Sequence, residues 1–251
     1  MYLNKIIAHR GFSSQYPENT LLSFEKAIEL GVKCIETDVT ILKDGTIVLF
    51  HDYETKYHTN FDGIINDLDY NDIKNIDAGS WKNEKFKNTR IPTLKELIDL
   101  CKKTNTKINL ELKGESGKNE KYWNIIVENT VKLIKDNNVQ DLIFYSSFEF
   151  DMLRILKDAD KNAKFGILFY DKTEHWKEIS DELKPQSIHL FDKTVNKKLI
   201  ENIKNENYEI YVYTVNSLEL ANEFYSIGVD GIFTDNPDIF IKNKGLISTP
   251  Y

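Results

Sequence analysis

The chain has 251 residues, 41% hydrophobic, 12% aromatic and 29% charged, and its forty acids against thirty-three bases leave a net charge of −7. That length supports one substantial core, such as a barrel of about 250 residues, and the composition excludes a disordered or low-complexity chain. The acidic balance argues against a nucleic-acid partner, and no run approaches the roughly 18 apolar residues of a membrane span, so stable membrane insertion is not expected either.

Short β-branched runs alternate with helical segments along most of the chain. Strands are predicted at 5–9, 34–39, 107–113, 142–146, 164–170, 187–191, 209–215 and 231–235. Helices are predicted at 20–30, 93–104, 118–136, 149–159, 177–183, 196–206 and 218–226. Strand, crossover helix and next strand favour a parallel sheet, and eight such units at this length favour an α/β fold closed into a TIM (β/α)₈ barrel. The whole chain, 1–251, is expected to be one domain.

One further strand, 46–51, breaks the alternation. It follows Lys43-Asp44-Gly45, a tight-turn signal. A hairpin centred on Asp44 sets His51 opposite Thr37 and makes the run an antiparallel extension at the mouth. The other placement open to it is a true third barrel strand without a preceding helix. Residues 53–92, rich in Asn, Asp and Gly, then form an insertion beside the mouth, with Phe61, Ile64 and Ile65 as its compact apolar cluster.

Cys34 and Cys101 fall on a strand and a helix and are expected to be buried free thiols, as in a reducing cytoplasm. The first apolar run breaks into charge at His9-Arg10, too early for a signal-peptide core, so the expected location is cytoplasmic. Lys132, Lys135, Lys197 and Lys198 sit among acids and amides and read as solvated helix surface.

The chemically capable residues gather at predicted strand ends, where barrel enzymes place their active sites. His9, Arg10 and Gly11 end the first strand. Glu36 and Asp38, two apart on one face, end the second. His51 and Asp52 end the hairpin strand. Glu111 and Lys113 again share a face on the next barrel strand. Three carboxylates converging would repel one another and raise a pKa unless a cation relieved them. Hard oxygen donors suit Mg²⁺, Ca²⁺ or Mn²⁺ better than zinc. Arg10 and Lys113 bring charge for a phosphate, and two histidines can divide proton removal from proton donation. Alone, each motif is an ordinary pair of strand-end surface residues. Four together at successive strand ends form a phosphodiesterase toolkit.

The order of these motifs resembles the glycerophosphodiester phosphodiesterase family. The match runs through His9-Arg10-Gly11, Pro17-Glu18-Asn19-Thr20, Glu36-x-Asp38, Lys43-Asp44-Gly45, His51-Asp52, Ile91-Pro92-Thr93-Leu94 and Glu111-Leu112-Lys113. It continues in Thr214-Val215-Asn216 and in the run from Gly228 to Pro237. The resemblance implies a TIM barrel with an insertion after His51-Asp52, catalysis by His9 and His51, and one divalent cation on Glu36, Asp38 and Glu111. It also implies phosphate contacts from Arg10 and Lys113. The implied substrate is a small soluble glycerophosphodiester, such as glycerophosphocholine or glycerophosphoethanolamine, cut to glycerol 3-phosphate and an alcohol. Glu18, Asn19 and Asp52 are supporting candidates: Glu18 to bind metal or orient His and Arg side chains, Asn19 to cap the helix starting at Thr20.

Two departures stand out. Members commonly continue the His-Asp motif as Leu-x-Arg-Thr-Thr, where this chain reads Thr55-Lys56-Tyr57-His58-Thr59, and often carry Trp where Tyr213 precedes Thr214. Both are expected in the substrate wall, with Tyr213 as a binding residue. His175 reads as a surface histidine, as does His58, for which a site-facing place is the alternative; His189 lies on a strand, with a barrel-lining place without a catalytic role as one option. The competing readings are a lysophospholipase D or sphingomyelinase D-like enzyme, which needs an apolar rim on the insertion, and a catalytically silent phosphate-binding protein, which should have lost a histidine or a carboxylate.

Overall fold

Residues two apart on a strand share a face. In the computed structural model, which describes residues 4–114 and 120–243, that parity sorts the chain into an inner and an outer layer. The strands are β1 (Ile6–Ala8), β2 (Cys34–Ile41), β3 (Ile47–Leu49), β4 (Lys107–Leu112), β5 (Ile143–Ser147), β6 (Phe165–Phe169), β7 (Ser187–Phe191), β8 (Glu209–Tyr213) and β9 (Gly231–Thr234). All but β3 are parallel, and they close because β1 pairs with both β9 and β2. The result is an eight-stranded TIM barrel among the described residues. Ile35, Ile108, Leu110, Ile167, Ile188 and Ile210 face the surrounding helices in the main core. The opposite parity, Ile7, Cys34, Phe144, Tyr211 and Phe233, fills the barrel interior. That leaves the next inward positions on the same strands free to carry chemistry.

The helices are α1 (Leu21–Glu29), α2 (Tyr70–Ile73), α3 (Leu94–Thr104), α4 (Glu120–Asp136), α5 (Phe150–Ala159), α6 (Trp176–Leu183), α7 (Lys197–Asn205), α8 (Leu218–Ser226) and α9 (Pro237–Lys242). The seven predicted helices are all present; the predicted start of α4 at 118–119 lies outside the described residues. α2 and α9, four and six residues long, are too short to display a helical period in sequence. Lys132, Lys197 and Lys198 are exposed, as is Lys135. Cys34 and Cys101 are buried free thiols, each pushed up to about 12 by burial. No helix among the described residues is long and apolar enough to cross a membrane.

One local expectation fails at α1. The cap is Thr20, not Asn19: the Thr20 hydroxyl accepts from the Ser23 N–H, and the Ser23 hydroxyl accepts from the Thr20 N–H. Asn19 stands one residue earlier in the left-handed region, with φ +52°, and its amide is spent on β2 instead.

The hairpin placement of β3 holds and the barrel-strand alternative does not. β3 pairs antiparallel with β2 in the register Val39↔Leu49, Thr40↔Val48 and Ile41↔Ile47. Gly45 turns with φ +89°, and the Asp44 carboxylate accepts from the N–H groups of Thr46 and Tyr70. Beyond β3, Val48 bridges Thr93. The insertion packs on the hairpin's far face through Val48, Phe50, Ile65, Ile73, Ile76, Ala78 and Ile91. Ile65 is therefore core rather than rim. Of the expected apolar cluster only Phe61 is exposed, at 41%.

His189 lines the barrel interior and is fully buried. Its Nε2 shares a hydrogen bond with the Ser187 hydroxyl, and its ring lies among Phe144, Tyr211 and Phe233. Burial with no counter-charge drives its pKa down to about 3. The unfolded chain, with a histidine pKa near 6.5, takes up a proton that the fold refuses. Stability conferred by neutral His189 is thus complete above about pH 6.5 and is lost as pH falls from there toward about 3. Denaturant titrations between pH 6.5 and 4.5 should show wild type losing up to about 1.4 kcal/mol per pH unit more than His189→Gln; parallel pH dependences would contradict it.

Candidate active site

The mouth is organised from the end of β1. Gly11 turns the chain with φ +83° directly beneath α1, where a Cβ would lie 2.4 Å from the Ser23 hydroxyl. Any side chain there would push α1 away. The turn aims Arg10 across the mouth. Its backbone N–H donates to Glu36 Oε2 (2.9 Å), its Nη1 donates to Glu18 Oε1 (2.7 Å), and its Nε lies 3.2 Å from Asp38 Oδ2. Burial opposes the guanidinium charge, but Asp38, Glu18 and Glu36 outweigh it and hold its pKa above the ordinary arginine value.

Glu36, Asp38 and Glu111 converge as their spacing predicts. One oxygen from each lies within 4.8 Å of the other two. Their environments differ. Glu36 is raised well above the usual carboxylate range, first by burial and then by repulsion from Asp38 and Glu111. Burial pushes Asp38 the same way, but Arg10, His51, Lys113 and a hydrogen bond from Asn19 prevail and hold it well below that range. Asn19 Nδ2 donates to Asp38 Oδ2 at 2.9 Å while its Oδ1 accepts from the Thr37 hydroxyl at 2.7 Å. Asn19 is therefore a brace between the loop and β2, which its expected capping role would not have provided. Lys113 Nζ donates to Glu111 Oε1 (3.0 Å) and lies 3.7 Å from Asp38. The carboxylates are thus partly compensated by Arg10 and Lys113, rather than standing alone as the sequence reading assumed. Glu36 Oε1 is nonetheless buried with no hydrogen-bond partner. An orphaned carboxylate oxygen in a three-acid cluster fits a divalent cation, which Glu36, Asp38 and Glu111 could hold between them.

His9 and His51 are set up alike. His9 Nδ1 lies 2.7 Å from Asp235 Oδ1, and His51 Nδ1 lies 2.7 Å from Asp52 Oδ1. Burial raises both aspartates, but hydrogen bonds and neighbouring charge, from His9, Asn216 and Ser13 on Asp235 and from His51 and His58 on Asp52, hold each well below the ordinary range. Ionised carboxylates accept, so each Nδ1 carries the proton and each neutral ring keeps Nε2 as its basic nitrogen. His9 Nε2 lies 3.9 Å from Glu36. Both rings line one cavity of about 370 Å³ together with Arg10, Glu36 and Glu111.

The opposite side of that cavity is aromatic. Phe148, Tyr170, Phe191 and Tyr213, from the ends of β5 to β8, line it with Leu168 and Phe233. Phe148 meets Tyr213 edge-on and Tyr170 stacks on Phe191. Tyr213 Oη donates to the Phe169 carbonyl at 2.7 Å, so it offers the cavity its ring rather than its hydroxyl. The wall expected from residues 55–59 is absent. That segment is a short 3₁₀ turn (Thr55–Tyr57) outside this cavity, because its chain is drawn into the insertion by the bonds of Thr55 to Phe61 and Gly63.

His175 is exposed, at 57% of its side chain, as expected. His58 is not a surface histidine. Its Nδ1 reaches Asp52 Oδ2 and its Nε2 lies 3.7 Å from Glu18. Glu18 stands outside the three-acid cluster and orients Arg10. Two roles are not legible in the sequence, Asp235 behind His9 and His58 behind Asp52, although the sequence leaves a site-facing place open to His58. Asp235 sits at the end of the last barrel strand, and strand closure onto β1 is what brings it to His9; the parity of strand ends was the available signal. His58 lies in an irregular segment with no period to place it.

The family model described as the glycerophosphoryl diester phosphodiesterase family matches residues 9–239. A glycerophosphodiester phosphodiesterase of Caldanaerobacter subterraneus subsp. tengcongensis is 35% identical over 94% of this chain and 96% of its own. One from Bacillus altitudinis is 31% identical over 96% and 98%. Among solved structures, an Oleispira antarctica phosphodiesterase in complex with the product sn-glycerol-3-phosphate superposes with a TM-score of 0.91, at 32% identity and with 98% and 97% coverage. With the barrel closed as expected and the acids, histidines and arginine gathered at one mouth, this chain belongs to the glycerophosphoryl diester phosphodiesterase family.

Proposed function

We propose that the chain hydrolyses small glycerophosphodiesters to glycerol 3-phosphate and an alcohol, with one divalent cation held by Glu36, Asp38 and Glu111. The observation that carries this reading is the pairing of two carboxylate-backed histidines across one cavity that also holds Arg10 and the orphaned Glu36 oxygen. The relative with sn-glycerol-3-phosphate bound supports the substrate class. Mg²⁺, Ca²⁺ and Mn²⁺ suit these hard donors, and the ion supplies polarisation of a phosphoryl oxygen.

The chain's own residues do the rest. Arg10 and Lys113 orient the phosphate by charge and hydrogen bonds. One histidine takes the proton of the attacking hydroxyl at Nε2, and the other delivers a proton from Nε2 to the leaving oxygen. Asp235 and Asp52 fix the tautomer of each ring and stabilise its protonated form. The attacking hydroxyl belongs to water or to the glycerol 2-position; a trapped cyclic phosphate intermediate identifies the second route. The aromatic wall of β5 to β8 receives the non-reacting part of the substrate, and a cavity of about 370 Å³ accommodates a headgroup rather than two acyl chains.

Chelation followed by dialysis should abolish activity, and Mg²⁺, Ca²⁺ or Mn²⁺ should restore it. Alanine at Glu36, Asp38 or Glu111 should weaken metal binding measured by calorimetry. Full activity in excess chelator would remove the cation from the reaction.

His9→Ala and His51→Ala should each lower kcat by about 10²–10⁴-fold, whereas His175→Ala should leave it unchanged. Asp235→Asn should also reduce kcat, by roughly 10–100-fold, the scale of a lost partner behind an acid–base or ligand imidazole. A normal rate for His51→Ala in single-turnover assays would refute the assignment.

Glycerophosphocholine and glycerophosphoethanolamine should be turned over, and diacyl phospholipid in vesicles should not. Tyr170→Ala and Phe191→Ala should change KM and the preference among alcohols more than the metal requirement. Faster cleavage of lysophospholipid or sphingomyelin than of glycerophosphocholine would favour the lipid-directed reading.

A further inference from the structure

His58 is half-buried at the seam between the insertion and the barrel mouth, its side chain 24% exposed. Its ring stands edge-on to Trp81 at 4.4 Å between centroids, and Trp81 is pinned by its own Nε1 donating to the Ala78 carbonyl at 2.9 Å. The orientation of His58 is therefore fixed by the insertion's packing. That orientation joins two parts of the site. On one side His58 Nδ1 donates to Asp52 Oδ2, while the other oxygen of the same carboxylate accepts from His51 Nδ1. On the other side His58 Nε2 lies 3.7 Å from Glu18 Oε2, while the other oxygen of that carboxylate accepts from Arg10 Nη1.

We propose that His58 is a positioning residue for the phosphodiester reaction, clamping Asp52 against His51 and Glu18 against Arg10, so that one imidazole couples the proton-transferring histidine to the phosphate-orienting arginine. The proposal rests on the reading of His51 and Arg10 above. It differs from a packing role in one respect: the charge of His58 acts on His51 through the shared carboxylate.

The groups facing His58 are Asp52 at the end of the hairpin, Glu18 in the loop before α1, Arg10 at the end of β1, and the neutral Trp81 ring. Burial lowers the pKa of His58, but the Asp52 hydrogen bond and the charges of Glu18 and Asp52 raise it more than Arg10 lowers it, leaving it above the ordinary histidine value. The resulting row runs from Arg10 through Glu18, His58 and Asp52 to the His51 ring. A cationic His58 draws on the negative charge of Asp52 that would otherwise stabilise protonated His51. Removing that cation should make His51 more basic, because a positive charge on the same carboxylate disfavours a second proton beside it. His51 is also faced by Asp38, whose charge is unchanged by the substitution.

The test compares His58→Ala, which removes donor and charge, with His58→Asn, whose amide nitrogen takes the place of Nδ1 without the charge. Glycerophosphocholine turnover is followed against pH with Mg²⁺ present, and the His51 ring is titrated directly by NMR of histidine-labelled protein. His58→Ala should lower kcat by about tenfold and move the His51 limb to higher pH. The direction is the same whether His51 works as acid or as base, since either limb follows the same proton. His58→Asn should recover kcat to within about threefold of wild type and keep the shifted limb. An unshifted His51 titration in both variants overturns the proposal, including when both lose rate equally, because that pattern marks a packing residue. The NMR titration needs no turnover. A normal rate for His51→Ala would thus sink the catalytic reading while leaving the coupling between the two rings to be decided by its own measurement.

Discussion

Acids gathered as closely as Glu36, Asp38 and Glu111 cannot remain charged in a buried place unless cations are held against them, and most of the mouth is arranged to meet that demand. Arg10 is turned into the site by a glycine that has no room for a side chain, braced by Glu18, and set between two of the three acids. Lys113 comes back along its own strand to Glu111. Asn19 gives up a helix cap to hold Asp38. What these groups leave without a hydrogen-bond partner in the cluster includes Glu36 Oε1 and Arg10 Nε, so the compensation of the acids is incomplete. A site with all its charge compensated would have no affinity left for an incoming ion or phosphate. One with none would not fold.

The parity of strand residues explains why so much of the barrel and its mouth is legible in the sequence. Ile35 and Leu110 face helices while Glu36, Asp38 and Glu111 face the mouth, and a period of two is visible in a linear string. The hairpin register followed from Lys43-Asp44-Gly45 in the same way, since a turn at Asp44 leaves one pairing for the residues beyond it. Less regular parts were illegible for matching reasons. Thr20 and Asn19 are both good caps by residue type, and only the left-handed backbone at Asn19 decides between them. The neighbours of His58 come from two loops and the insertion, none of which has a periodic signal. Compensation of the acids by Arg10 and Lys113 depends on side-chain reach, which spacing along a strand does not report.

The mouth is chemically divided. The β1, β2 and β4 side carries the ionic groups, and the β5 to β8 side carries rings. The insertion, expected to wall the substrate, instead stands behind the ionic side, where its Trp81 fixes His58 and its apolar residues cover the hairpin. The ionic side is therefore supported from outside the barrel, while the aromatic side of the cavity is built from residues at the barrel strand ends.

The hairpin strand has a further consequence for how the two sides can change. β3 has one edge on β2 and bridges Thr93 on the other, with its outer face beneath the insertion core. An uncovered β3 would present open backbone groups and an apolar face, a template for pairing between molecules. The insertion thus also covers an adhesive surface, and shortening it invites aggregation as well as disturbing the ionic side. Phe148 and Tyr170, partly exposed at the ends of β5 and β6, carry no such burden. Redesign of this enzyme for other alcohols has its freedom on that side of the barrel.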